Sequence, residues 1–290
     1  MSIKTAHSSN NLTLKIMKRI LVPTDFSEHA ENALKVAAQI AKKNNSEIIL
    51  LHTLELPSQM NDAVTGGISI PESMLFIKKA NEMLSKTADS AYLDGLTIIE
   101  IAKLDRPTEG IIKTSKEHEI DLIIMGSHGV SGFEELAIGS NTEKVVRHSE
   151  VPVLVIKQHI KDFKTKNFVF ASDFSKEIEK PFKKLIEFVK IFDSKLHLVM
   201  ICTPNSFKPT HVAQKTMEDF ITPFNLKNYS TYIYNDTNIE NGIINFSNSI
   251  NADLIGMCTH GRTGFAHFFN GSLSEDIVNH AVRPILTFKI

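Results

Sequence analysis

The chain has 290 residues, 42% hydrophobic and 22% charged, the make-up of a globular protein with room for two domains. A formal net charge of −1 excludes a global basic field for nucleic acid or membrane surfaces, and no apolar run approaches the ~18 residues of a membrane span. Cys202 and Cys258 are too few for a disulfide framework, and the polar stretch 1–16 lacks the apolar core of a signal peptide, so the expected location is cytoplasmic.

Residues 1–16 read as an extension ahead of the first strand, 19–24. Ser27 or Asp25 can cap the helix that follows, whose Ala30, Ala33, Leu34, Ala37, Ile40 and Ala41 share one face, and Asn44 and Asn45 end it. Residues 47–54 form a strongly apolar second strand. A loop is expected over 57–70, around Gly66-Gly67, and a helix over 71–93, stopped by Asp94-Gly95. A third strand (96–103), a third helix (107–118) and a fourth strand (122–125) follow.

The fourth strand runs into Gly126-Ser127-His128-Gly129, and after nine further residues comes Gly139-Ser140-Asn141. Residues 142–148 read as a helix and 151–156 as the closing strand. Glycines at a strand end let the backbone come close to a ligand. Small polar residues at a helix start offer unpaired N–H groups and the positive end of the helix dipole. That combination suits a phosphate.

The pattern then repeats. Val22-Pro23-Thr24-Asp25-Phe26-Ser27 is matched by Phe170-Ala171-Ser172-Asp173-Phe174-Ser175. The glycine motif is matched by Cys258-Thr259-His260-Gly261 and, nine residues on, Gly271-Ser272-Leu273. The chain therefore reads as two copies of one domain, the second shorter in its middle, with boundaries at 17–160 and 161–290. Strands of the second copy are expected over 168–172, 195–202, 231–234, 254–257 and 285–289. Pro181 should delay or kink its first helix, and its second, 210–220, is short.

Strands alternating with helices imply a parallel sheet covered on both faces, which binds ligands beyond the carboxyl ends of its strands, where strand order reverses. Thr24-Asp25 and Met125-Gly126 both sit at such ends, and share one switch point if strands one and four are neighbours. Cys202 and Cys258 each fall at a strand end. If those strands flank a third they stand roughly 9–10 Å apart, too far for a bridge, so both read as reduced thiols.

Pro23-Thr24-Asp25-Phe26-Ser27, Leu51-His52-Thr53, the motif from Met125 through Asn141, and Val151-Pro152-Val153-Leu154-Val155 together resemble the universal stress protein family in its tandem form. The resemblance covers 17–157 and, more weakly, 168–290, and the first half resembles the ATP-binding branch. It implies an α/β fold of two tandem doubly wound domains, Rossmann-like and of the adenine nucleotide alpha-hydrolase type. Each would be a five-stranded, mainly parallel sheet with helices on both faces. It implies that Pro23, Thr24 and Asp25 border an adenosine, Asp25 near the ribose or a metal-bound phosphate, and that Thr53 meets the adenine through its backbone. Met125 and Gly126 would lie under the ribose, with His128 inside the loop. Gly129, Gly139, Ser140 and Asn141 would hold the phosphates of ATP, with Mg2+ as a companion ion. In the second half Asp173, Gly261, Gly271 and Ser272 survive, but Cys258 replaces Gly126 and Leu273 replaces Asn141. That second site is expected to be weak or empty.

Plainer readings stand beside these. Asp25 could serve only as an N-cap, and Gly126 and Gly129 only as a turn. His52, His128 and His260 lack metal-ligand spacing, so no dedicated metal site is assigned. Cys258 could be a redox sensor or a small buried filler. The function expected is nucleotide-dependent regulation in a stress response. Slow ATP hydrolysis or phosphoryl transfer is an alternative with Asp25 and His128 as its only candidates, since there is no Walker lysine or kinase signature; no catalytic residue is assigned. A nucleotide-free scaffold is the third class. The apolar closing strands 151–156 and 285–290 are expected to pair, giving an intramolecular pseudo-dimer, with a homodimer of the whole chain as a further option.

Overall fold

The computed structural model describes residues 17–55, 70–127, 139–259 and 283–290. Of the site residues expected from the sequence, His128, Gly129, Gly261, Gly271 and Ser272 lie outside the described residues, as does nearly all of the loop expected over 57–70.

The described residues contain β1 (Arg19–Pro23), β2 (Glu47–Leu54), β3 (Ile98–Leu104), β4 (Leu122–Gly126) and β5 (Val153–Ile156) in the first half. The second half supplies β6 (Asn167–Ala171), β7 (Lys195–Cys202), β8 (Tyr229–Asn235), β9 (Leu254–Thr259) and β10 (Ile285–Lys289). All join one ten-stranded sheet, in the order β3-β2-β1-β4-β5-β10-β9-β6-β7-β8. Every neighbouring pair is parallel except the central one. There β10 runs antiparallel to β5, with Ile285 opposite Val155 and Leu286 opposite Leu154. The two halves therefore share one continuous hydrogen-bonded sheet, and each closing strand covers the open edge of the other.

Central strands such as β4 and β5 are apolar at nearly every position because both faces are covered. Alternate residues feed two cores. Ile20, Val22, Ile48 and Leu50 pack with α1 (Glu28–Asn44) and with Leu84 of α2 (Ile70–Ala88). That core continues through Phe182 and Leu185 of α5 (Glu179–Phe192) and Met217 of α6 (Thr210–Ile221). Leu21, Ile49 and Ile123 face the other way. They share a core with Ile111 of α3 (Pro107–Glu117), Val145 of α4 (Ser140–His148) and Ile243 of α7 (Ile239–Ser249).

Local sequence sets where these helices start and stop. In α1 the Ser27 side chain accepts the Ala30 N–H at 3.3 Å, Glu28 and Glu31 occupy the first turn, Lys42 and Lys43 the last, and Asn45 takes the left-handed conformation at φ 55°. The helix expected to run to residue 93 ends instead at Ala88. A 3-10 turn, Ala91–Leu93, then buries Leu93, and Gly95 at φ +79° reverses the chain. Pro181 acts as the sequence suggests: α5 is entered late, through a 3-10 turn at Lys176–Ile178. Cys202 and Cys258 lie on β7 and β9, on either side of β6, and both are free and buried.

Lys157, directly after β5, is held by burial to a pKa of about 8, below its ordinary 10.5. Between those two values the unfolded chain binds the extra proton, so stability rises with pH from about 8 to about 10.5. Lys157→Met is expected to flatten this part of the pH profile of the unfolding free energy, measured by urea denaturation. An unchanged slope would contradict the burial of the ammonium group.

Candidate functional site

Strand order turns at β1, which lies between β2 and β4. Ile20 stands opposite Leu122 and Leu21 opposite Ile123. The carboxyl ends of β1 and β4 consequently open onto one crevice, the condition the sequence reading required.

At the end of β1 the chain makes a tight, self-bonded turn. Pro23 stands opposite Leu51, and the Thr24 N–H donates to the Leu51 carbonyl at 2.8 Å. Thr24 Oγ1 accepts the Phe26 N–H at 3.0 Å, and Asp25 Oδ1 accepts the Ser27 N–H, also at 3.0 Å. The capping reading of Asp25 is thereby corrected: Ser27 caps α1, and Asp25 fixes the backbone of the cap residue. Phe26 is left with φ 64°, a left-handed conformation that costs a bulky residue about 1–3 kcal/mol. The Phe26 ring lies 4.6 Å from the His52 ring, and His52 Nδ1 stands 2.8 Å from the Thr24 carbonyl oxygen. Since a carbonyl only accepts, Nδ1 carries the proton and donates.

The end of β4 is shaped by close approach. A Cβ on Gly126 would stand 2.6 Å from the His29 carbonyl oxygen and 2.7 Å from its carbon, so the first turn of α1 rests directly on the strand. Met125 is buried in the core, which leaves only its backbone to the crevice. The start of α4 is drawn to the same place. The Gly139 N–H donates to the Ser127 carbonyl at 2.6 Å, and Thr142 Oγ1 donates to the Gly126 carbonyl at 2.9 Å.

Gly139 is the cap residue of α4 and has no side chain with which to cap it. Among the described residues no side chain caps this first turn, where the positive end of the helix dipole lies and Ser140 and Asn141 are exposed. Glu143, the acidic residue of that turn, is engaged by Arg147 at 2.8 Å. Thr53, half-buried near the end of β2, is pressed by α3: a Cβ on Gly110 would stand 2.7 Å from its Cγ2.

Pro23, Thr24, Asp25, Gly126, Gly139, Ser140 and Asn141 are thus gathered around one switch point, with Thr53 on the flanking strand. Four contributors escaped the sequence reading: His52 as a tie to Thr24, the strained Phe26, Gly110 and Thr142. A signal for Phe26 existed in its recurrence as Phe174.

The second half repeats the turn. Ser172 Oγ accepts the Phe174 N–H at 3.0 Å, Asp173 Oδ1 accepts the Ser175 N–H at 3.1 Å, and Phe174 has φ 58°. Beside it lies a small open cleft lined by Asp173, Met200, Ile201, Lys208 and Ile239 among others. The buried Met200 occupies the place of His52, and the buried Cys258 that of Gly126. Cys258 is free and buried, and that burial, reinforced by the Asp173 charge, pushes its thiol above the ordinary range, which favours a packing role over a redox one. Among the described residues, no group of three or more His, Cys, Asp or Glu is arranged to hold a metal, and no helix is long and apolar enough to cross a membrane.

A doubly wound, mostly parallel sheet with its crevice at the β1/β4 reversal places the molecule among the Rossmann-like α/β proteins. The family model for the universal stress protein family matches residues 17–157 and 231–289, and the chain belongs to that family. A universal stress protein of Methanocaldococcus jannaschii is 33% identical over 154 residues, which is 49% of this chain and 95% of the relative. One of Synechocystis is 24% identical over 292 residues, covering 94% of this chain and all of the relative. The crystal structure of a universal stress protein from Archaeoglobus fulgidus superposes with a TM-score of 0.73 at 25% identity, covering 94% of this chain and 98% of that one.

Gly126→Ala forces the α1 backbone away from β4 and is expected to lower the unfolding free energy by about 1–3 kcal/mol, the usual range for overpacking. Urea denaturation measures it. A neutral result would contradict the close approach of His29.

Proposed function

We propose that the chain is a tandem universal stress protein that binds an adenine nucleotide, ATP with Mg2+, in its first half and acts as a nucleotide-dependent regulator. The observation that carries this reading is the start of α4, tied by Gly139 and Thr142 to the end of β4 and left without a side-chain cap. An anion is the natural partner of such a helix end. In this reading the Gly139, Ser140 and Asn141 amides, with Gly129, hold the phosphates, Asp25 stands toward the ribose or Mg2+, and the Thr53 backbone meets the adenine. Met125, Gly126 and Pro23 form the floor, with Thr24 held in place by His52, and His128 completes the loop.

The residues present fit that group. A side chain at Gly126 has no room beside His29, so the strand end stays bare toward the crevice. The ion would bring charge neutralisation between phosphate oxygens and a carboxylate.

The same reading assigns two domains, 17–160 and 161–290, joined as an intramolecular pseudo-dimer through β5 and β10. The second site, with Asp173, Gly261, Gly271 and Ser272, would be the weaker one, since Cys258 fills the position of Gly126. Two free buried thiols favour a reducing compartment such as the cytoplasm.

With MgATP at about a hundred times its Kd, the unfolding free energy is expected to rise by about 2.7 kcal/mol. Gly139→Val should remove that increment. Because Gly139 has φ −61°, open to any L-residue, the loss reports on the ligand rather than on backbone strain. Full ATP-dependent stabilisation in Gly139→Val sinks the assignment. Multiple-turnover phosphate release abolished by Asp25→Ala would replace the regulator with an enzyme.

A further inference from the structure

The second half buries a titratable cluster where the first half has none. His197 on β7 is only 5% exposed, and its ring ties together the strands on either side. Nε2 stands 3.3 Å from Asn167 Oδ1 on β6, and Nδ1 stands 3.2 Å from the Tyr232 hydroxyl on β8. The Tyr232 ring stacks on the imidazole with centres 5.7 Å apart, and packs in turn on Phe246 of α7 at 4.9 Å. With the amide oxygen of Asn167 toward the ring, Nε2 carries the proton and Nδ1 accepts from Tyr232. The neutral imidazole thus satisfies both neighbours.

The repeat that matches Val22–Ser27 with Phe170–Ser175 puts Ile49 in the place of His197. The ladders set Ile48 opposite Ile98 and Leu196 opposite Tyr229, which puts Ile101 in the place of Tyr232. Both isoleucines belong to the apolar packing of the first half, so nothing there titrates.

A second proton on His197 has no good place. It would sit on Nδ1 and face the Tyr232 hydroxyl, whose own proton would lose its acceptor. Among the described residues no carboxylate bonds the ring. Lys195 on β7, Lys166 beside Asn167 and Lys227 ahead of β8 are cationic, β8 itself carries no charge, and α7 has only Glu240, in its first turn. Asp253 accepts the Asn167 N–H at 2.8 Å, and Arg283 donates to the Ala252 carbonyl. Burial, with the Lys195 charge adding to it, holds the imidazole below its ordinary range.

We infer that His197 is an acid-sensitive latch on β8, the outermost strand of the second half: protonation of its ring loosens β8 and α7 while the counterpart strand β3 stays in place. The neutral ring's contribution is complete above the unfolded value of 6.5 and is lost as pH falls through the lower value of the folded chain. The inference is independent of any nucleotide.

Amide hydrogen exchange on the full-length protein, corrected for the intrinsic rate at each pH, tests it. Between about pH 7.5 and about pH 5 the protected amides of β8 should lose about 10-fold in protection, the factor for one unit of pKa, while those of β3 keep theirs. Tyr232→Phe removes the donor to Nδ1 and should move the ring's titration, followed by NMR, upward toward 6.5. His197→Ile combined with Tyr232→Ile, which installs the first-half residues, should abolish the pH dependence of β8. Protection of β8 indifferent to pH overturns the inference, as does a titration unmoved by Tyr232→Phe. So does an equal loss in β3, which marks general acid unfolding, and so does a pH dependence that survives the paired substitution.

Discussion

Two short hydrogen bonds hold the first-half crevice together. The Gly139 N–H on the Ser127 carbonyl and the Thr142 hydroxyl on the Gly126 carbonyl bring the uncapped start of α4 to the tip of β4. The absence of a side chain at Gly126 lets the first turn of α1 close on the same strand from the other face. The left-handed Phe26, its ring against His52 and His52 bound to Thr24, then sets the β1 turn that carries Asp25. Strain at Phe26 is tolerated because neighbouring groups over-determine the turn. The shape of this crevice comes largely from the main chain.

The second copy keeps the turn and changes what surrounds it. Cys258 stands at its strand end and Met200 in place of the histidine, and its first helix, which carries Pro181, is entered through a 3-10 turn. An aromatic cluster of Phe170, Phe182, Phe220 and Phe224, with ring centres 4.9–5.5 Å apart, fills that side of the second core. The β5–β10 ladder joins the copies in one sheet.

Much of this fold was written in local pattern. The bounds of β2, β7 and β10 match those expected from the sequence, and each is built around an apolar run, because strands buried on both faces need no alternation. Errors fell where local and tertiary demands part. The closing strand begins at Val153, not 151, since Ser149 forms a turn with Val151 and Pro152 brings no N–H to the ladder. Helix α4 begins at Ser140, not 142, because its first residues, small and polar, look like loop. The glycine spacing around the crevice was legible since close approach admits few alternatives. His52 was not, because its bond to Thr24 joins two strands that only the sheet brings together.

The central claim is that an adenine nucleotide lies across the β1/β4 reversal with its phosphates on the first turn of α4. Difference density from crystals grown with MgATP tests it most directly. The account predicts phosphate oxygens within hydrogen-bond distance of the Ser140 and Asn141 amides, with the base toward Thr53. A nucleotide seated elsewhere while those amides face only water would contradict it.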